Sequence, residues 1–178
     1  FRQTTVLKPA LLITIIALKF LLPVLLIWFP FLAGWANFIL DTVDGDILIP
    51  LGLEDYNYQT IDKFADYVTY IFMLIVGWKW EIHKEIKITF AIRTVGQILF
   101  FVTRDELMFF FFPNLLEPLF LIYATLLFFK KKQAYKIYRK HFKLIWAFIL
   151  LYKFQDELIT HVVNVDRSTL IKQIFQKI

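Results

Sequence analysis

Cysteine is absent from the 178-residue chain, which excludes disulfides, thiolate nucleophiles and cysteine-ligated metals and leaves the redox compartment unread. Glycine is scarce, at five copies, and nothing resembles a glycine-rich loop that cradles phosphate. The three histidines, His83, His141 and His161, are far apart and lie beside polar segment ends. They are expected at interfaces rather than on a metal, and no Ser-His-Asp arrangement can be traced. Internal repeats and low-complexity tracts are missing, and no signal-peptide cleavage pattern stands out. The chain opens on Phe1 rather than Met, as it would if the numbering started inside a longer or processed chain.

What is present is apolar. Hydrophobic residues make up 59% of the chain and aromatic ones 19%, with a mean hydropathy of +0.62, too high for an ordinary soluble domain of this length. A hydrocarbon core of about 30 Å needs roughly 20 mostly apolar residues per helix. The expected fold is therefore an all-α integral membrane protein, a six-transmembrane-helix bundle forming a single domain over residues 1–178.

Punctuation along the chain places the spans. A first helix ends near Phe29 and a second runs from about Phe31 into Asp44, the two divided by Pro30. Residues 47–60 read as a loop or interfacial segment, and a third helix follows from about Gln59 to the tryptophans at 78 and 80. A fourth starts near Ile88 and continues through "VTRDELMFFFF", a fifth covers roughly Leu115 to Phe129, and a sixth begins near His141 or Phe142. The tail, about 166–178, is expected to lie on the membrane as a short amphipathic helix.

The formal net charge is +5, but the basic residues concentrate in "KKKQAYKIYRKHFK", residues 130–143, between apolar segments. Membrane lipids rather than nucleic acid are the expected partner, since anionic headgroups attract such a cluster by about 1 kcal/mol per charge.

Acids of one sign gather elsewhere. Residues 39–68 hold six aspartates and one glutamate between apolar segments, where desolvating a charge is expensive. Asp41 and Asp44 are three apart, and Asp62 and Asp66 four apart, so each pair shares a helix face. Two such faces brought together would form a four-carboxylate centre suited to a hard divalent cation. Such a centre suits phosphoryl transfer: metal neutralises a diphosphate, and a free carboxylate takes the proton of a hydroxyl nucleophile. The plain alternative is a wet acidic boundary between spans.

The spacing itself resembles the signature of the CDP-alcohol phosphotransferase family, DxxDGxxAR, eight residues, G, three residues, D, three residues, D. Asp41, Asp44, Gly45, Asp62 and Asp66 fall at the family's intervals without a gap. "LKFLLP", residues 18–23, is similar to the basic-residue-then-proline element of the family's first helix, and "VTRDEL", residues 102–107, to an Arg-acid pair in its fourth. The resemblance implies Mg²⁺ or Mn²⁺ held by Asp41, Asp44, Asp62 and Asp66, with Asp66 also the general base. It implies close approach of a nucleotide at Gly45, and a phosphate-bearing acceptor lined by Arg104 or Arg93. The implied partners are a CDP-linked lipid or alcohol donor and a hydroxyl acceptor, and the implied reaction releases CMP in phospholipid or polar-lipid synthesis. Family members often form homodimers, which sets the same expectation here. The cytoplasmic membrane of a prokaryote is the expected location, with an organelle membrane as the alternative.

The departures fall on the nucleotide side. Leu48 and Ile49 stand where the family has Ala and Arg, and Tyr58 where it has Gly. They motivate a second reading, a non-catalytic pseudoenzyme or structural membrane subunit on the same scaffold. A third, a cation-coupled transporter using the acids and Arg93, sits poorly with a short chain lacking an inverted repeat. Asp46, an extra acid inside the signature, is expected to face solvent. With six spans, the acids and the 130–143 loop fall on opposite sides, against the tendency of both to face the cytoplasm; the family orientation is preferred.

Overall fold

The computed structural model describes residues 3–48 and 55–158. Among these residues every regular element is a helix: α1 (Gln3–Leu25), α2 (Pro30–Leu48), α3 (Asp55–Gly77), α4 (His83–Thr103), α5 (Leu107–Phe111), α6 (Leu116–Lys130), α7 (Ala134–Lys140) and α8 (Phe142–Glu157). The chain divides into two compact units, Phe1–Phe72 and Met73–Ile178. The expected amphipathic tail and Ile49 lie outside the described residues, as do most of the residues between α2 and α3.

In the first unit, α1 closes in a tight turn in which Leu26 N–H donates to Pro23 O (3.1 Å) and Phe29 N–H to Leu25 O (2.9 Å). Pro30 then opens α2, a position where its missing N–H costs nothing. α2 is tied to α3 by Asn37, whose side-chain amide donates to the Thr69 hydroxyl at 3.1 Å. Phe20 of α1 meets Phe64 of α3 with ring centroids 6.0 Å apart.

In the second unit α4 stops at Thr103, earlier than expected, because Arg104 adopts the left-handed conformation with φ 59°. No Gly or Pro marks this break. The polar side chains hold it instead: Thr103 Oγ1 accepts from Asp105 N–H (3.2 Å) and Asp105 Oδ1 from Leu107 N–H (2.9 Å), turning the chain into α5. α4 also starts five residues earlier than expected, at His83. α6 is opened by Asn114, whose side-chain oxygen accepts from Glu117 N–H at 3.3 Å. The basic stretch 130–143, expected as a loop, contains α7, anchored by the buried Tyr138. Tyr138 packs edge-on against Tyr123 and Phe142, and its phenol oxygen accepts from the Trp146 indole at 3.0 Å. Burial pushes the Tyr138 phenol up to about 12, so it stays neutral. In α8, Lys153 and Asp156, one turn apart and both buried, pair at 2.7 Å.

Gly96 brings α4 against the end of α5. A Cβ there would lie 2.7 Å from Phe112 Cβ and 3.2 Å from Phe112 O, so Gly96→Ala forces backbone apart. The substitution is expected to destabilise the protein by about 1–3 kcal/mol. At Gly77 the nearest atoms belong to the rotatable Ile86 side chain, at 3.0 Å, and Gly77→Ala should cost visibly less. Detergent-challenge unfolding of the two variants side by side checks this; equal losses would contradict it.

The all-α class is established, the six-span arrangement is not. Among the described residues one helix, α4, is long and apolar enough to cross a membrane, with a hydropathy of 1.4. The reason is legible in the other helices. α2 carries Asp41, Asp44 and Asp46, and α3 carries Asp62, Lys63 and Asp66, within their apolar stretches. α6 and α8, at 15 and 16 residues, reach only about 22–24 Å at 1.5 Å per residue. Large apolar side chains are nonetheless exposed on both units, among them Ile13, Leu21 and Trp28 on the first and Val102, Phe111 and Leu151 on the second.

A candidate metal centre of four aspartates and two lysines

The centre is built wholly within the first unit. α2 presents Asp41 and Asp44 one turn apart, α3 presents Asp62 and Asp66 one turn apart, and the two faces meet through Asp41, Asp62 and Asp66. One carboxylate oxygen each from Asp41, Asp62 and Asp66 lies within 4.8 Å of the others. Asp44 is fully buried, Asp62 and Asp66 nearly so, and Asp41 is the open member, with its side chain 30% exposed.

Two lysines complete the centre. Lys19 reaches in from α1 and is itself buried. Its ammonium donates to Asp44 and Asp62 and, at 3.4 Å, to Asp41. Lys63 of α3 donates to Asp62 at 2.7 Å and pairs with Asp66 at 3.8 Å. Asp62 therefore bridges both ammonium groups. The sequence carried weak signals for each. Lys19 is the basic residue of the "LKFLLP" element, and Lys63 follows Asp62 directly and precedes Asp66 by three, a helical ion-pair spacing.

These residues fit a hard divalent cation. Three carboxylate oxygens within 4.8 Å of one another are the hard, anionic donors that such an ion prefers. Four carboxylates against two ammonium groups leave two negative charges in a mostly buried space, the charge that one such ion would neutralise.

The remaining expected site residues fall as follows. Gly45 lies within α2, next to Asp44. Leu48, at the family's Ala position, is buried; the side chains of Asp46 and Tyr58 lie outside the described residues. Arg93 and Arg104 belong to the second unit. Arg93 is buried on α4, its guanidinium 4.2 Å from the centroid of the Phe109 ring and donating to Phe112 O at 3.4 Å. Arg104 is exposed at the end of α4, 5.9 Å from the Phe101 ring centroid. Arg93 thus packs between α4 and α5, and Arg104 caps the end of α4. Compared with family models, curated proteins and solved structures, the chain matches none.

Proposed function

We propose that the chain is a membrane-embedded, divalent-metal-dependent phosphotransferase. It would move a phospho-alcohol group from a CDP-linked donor to a hydroxyl acceptor, with release of CMP, in the synthesis of phospholipids or related polar lipids. The observation that carries this reading is the meeting of Asp41, Asp62 and Asp66, whose oxygens come within 4.8 Å of one another, at the intervals of the family signature. Membrane placement is supported by the apolar composition and by the large apolar side chains exposed on both units. The six-span bundle, with α5 and α7 as short connecting helices, belongs to the same proposal.

Asp41, Asp62 and Asp66 would hold Mg²⁺ or Mn²⁺. A bound ion supplies charge neutralisation of the diphosphate and stabilisation of the leaving oxygen. The rest falls to the side chains. The acceptor oxygen attacks the phosphorus that carries the alcohol, the bond from that phosphorus to the bridging oxygen breaks, and CMP leaves with that oxygen. The hydroxyl proton passes to an oxygen of Asp66 not engaged with the ion. Asp41, the exposed member, marks the side from which substrates enter. Lys63, between Asp62 and Asp66, keeps both carboxylates on one face.

A second reading, a non-catalytic subunit, is favoured by Lys19 and Lys63, which already neutralise half of the acid charge and so hold the unit together without metal. One measurement separates the two. Mg²⁺ with a CDP-linked lipid is expected to raise the melting temperature of the purified protein by several degrees. No shift, with Mg²⁺ or with Mn²⁺, supports the non-catalytic subunit.

A further inference from the structure

Lys19 has three N–H donors and meets three carboxylates, those of Asp41, Asp44 and Asp62. It comes from a different helix than any of them and is 4% exposed. An ammonium group saturated in this way does at that point what a metal ion does, holding acids from two helices against their repulsion. The carboxylates are also unequally placed. Asp41, Asp62 and Asp66 form the group of three converging oxygens, whereas Asp44 is not among them and sits fully buried against Lys19.

We infer that Lys19, seated on Asp44, is a built-in second cation, so that the centre takes a single divalent ion on Asp41, Asp62 and Asp66 instead of two. This rests on the metal-dependent reading proposed above. The charge count favours it: with Lys19 and Lys63 in place, one divalent ion brings the centre to neutrality. In the substrate-free centre a second would leave two uncompensated positive charges in a largely buried space or require Lys19 to withdraw. Lys19 is thereby a positioning residue. It fixes Asp44 and one face of Asp62.

Asp41 and Asp44 provide a matched test, since both lie on α2 and each Asp→Asn change removes one negative charge. Mn²⁺ alone is the probe, its bound equivalents counted by equilibrium dialysis of the full chain in lipid nanodiscs. Spin resonance reports whether any two ions are magnetically coupled, and circular dichroism reports the fold. The wild-type protein is expected to bind one Mn²⁺ without a coupled-pair signal, and Lys19→Met two with one; Lys19→Arg retains one. Asp41→Asn is expected to abolish binding. Asp44→Asn should weaken it by about 10–100-fold without abolishing it, the size of an outer-sphere change.

Any other pair of counts for the wild type and Lys19→Met overturns the inference. Two ions on the wild type would do so while leaving the metal-dependent reading standing, and none on either folded protein would overturn both. If Lys19→Met does not fold, the α2 pair decides: loss of Mn²⁺ in Asp44→Asn equal to that in Asp41→Asn makes Asp44 a ligand and ends the proposal.

Discussion

Asp62→Ala is expected to destabilise the protein by about 3–5 kcal/mol, the cost of removing one partner from a buried ion pair. Asp62 accepts from both ammonium groups, Lys19 and Lys63, and it is itself buried. Without it, Lys63 retains the longer pairing with Asp66 at 3.8 Å, and Lys19 leans on Asp41 and Asp44. Asp62→Asn keeps the volume and a hydrogen-bond acceptor and should lose less. An exposed charge such as Lys136 on α7 gives the baseline, with Lys136→Ala changing stability by at most about 0.5 kcal/mol. Unfolding in graded denaturing detergent measures all three. Asp62→Ala behaving like Lys136→Ala would show that the two lysines do not depend on Asp62 for their place.

The second large effect follows from the proposed transfer reaction. Asp66→Asn is expected to lower turnover about 10²–10⁴-fold, the range contributed by a positioned general base. The amide cannot take a proton from the acceptor hydroxyl, yet it fills the same space on α3. The stability loss should be smaller than for Asp62→Ala, because Asp66 has the longer contact with Lys63. The thermal shift with donor and Mg²⁺ should persist, though reduced, which separates loss of proton transfer from loss of binding. Robust transfer by Asp66→Asn would sink the base assignment.

Much of the first unit is legible in the sequence because its determinants are local. Pro30 marks the α1–α2 junction to within a few residues, and the three- and four-residue spacings put each acid pair on one helix face. The spacing does not dictate that those faces converge; in the structure Asp41, Asp62 and Asp66 come together, while Asp44 faces Lys19. Lys19 is not legible as a partner because a single basic residue in an apolar helix says nothing about which acid, more than 20 residues away, it will meet; Lys63 carries only the local spacing to Asp62 and Asp66, which does not distinguish a buried ion pair from a solvated one. In the second unit the break at Arg104 went unread because it depends on a left-handed residue and two side-chain hydrogen bonds rather than on Gly or Pro. α7 was hidden inside a run whose charges mask the apolar anchor at Tyr138. The acceptor-binding roles expected of Arg93 and Arg104 rest on resemblance alone, and their described contacts are with Phe109, Phe112 and Phe101.

The dispersal of the charged centre over three helices bears on how the protein would enter a bilayer. α2 and α3 each carry several charges, and α1 carries Lys19, whose partners lie 22, 25 and 43 residues further along. In a membrane none of these helices could partition into lipid alone without stranding charge, so α1 must wait at the insertion machinery until α3 has been synthesised. The three would leave it together, as one electrically balanced package. A nascent chain halted before Asp62 should therefore remain extractable by alkaline carbonate, and one halted after Gly77 should not.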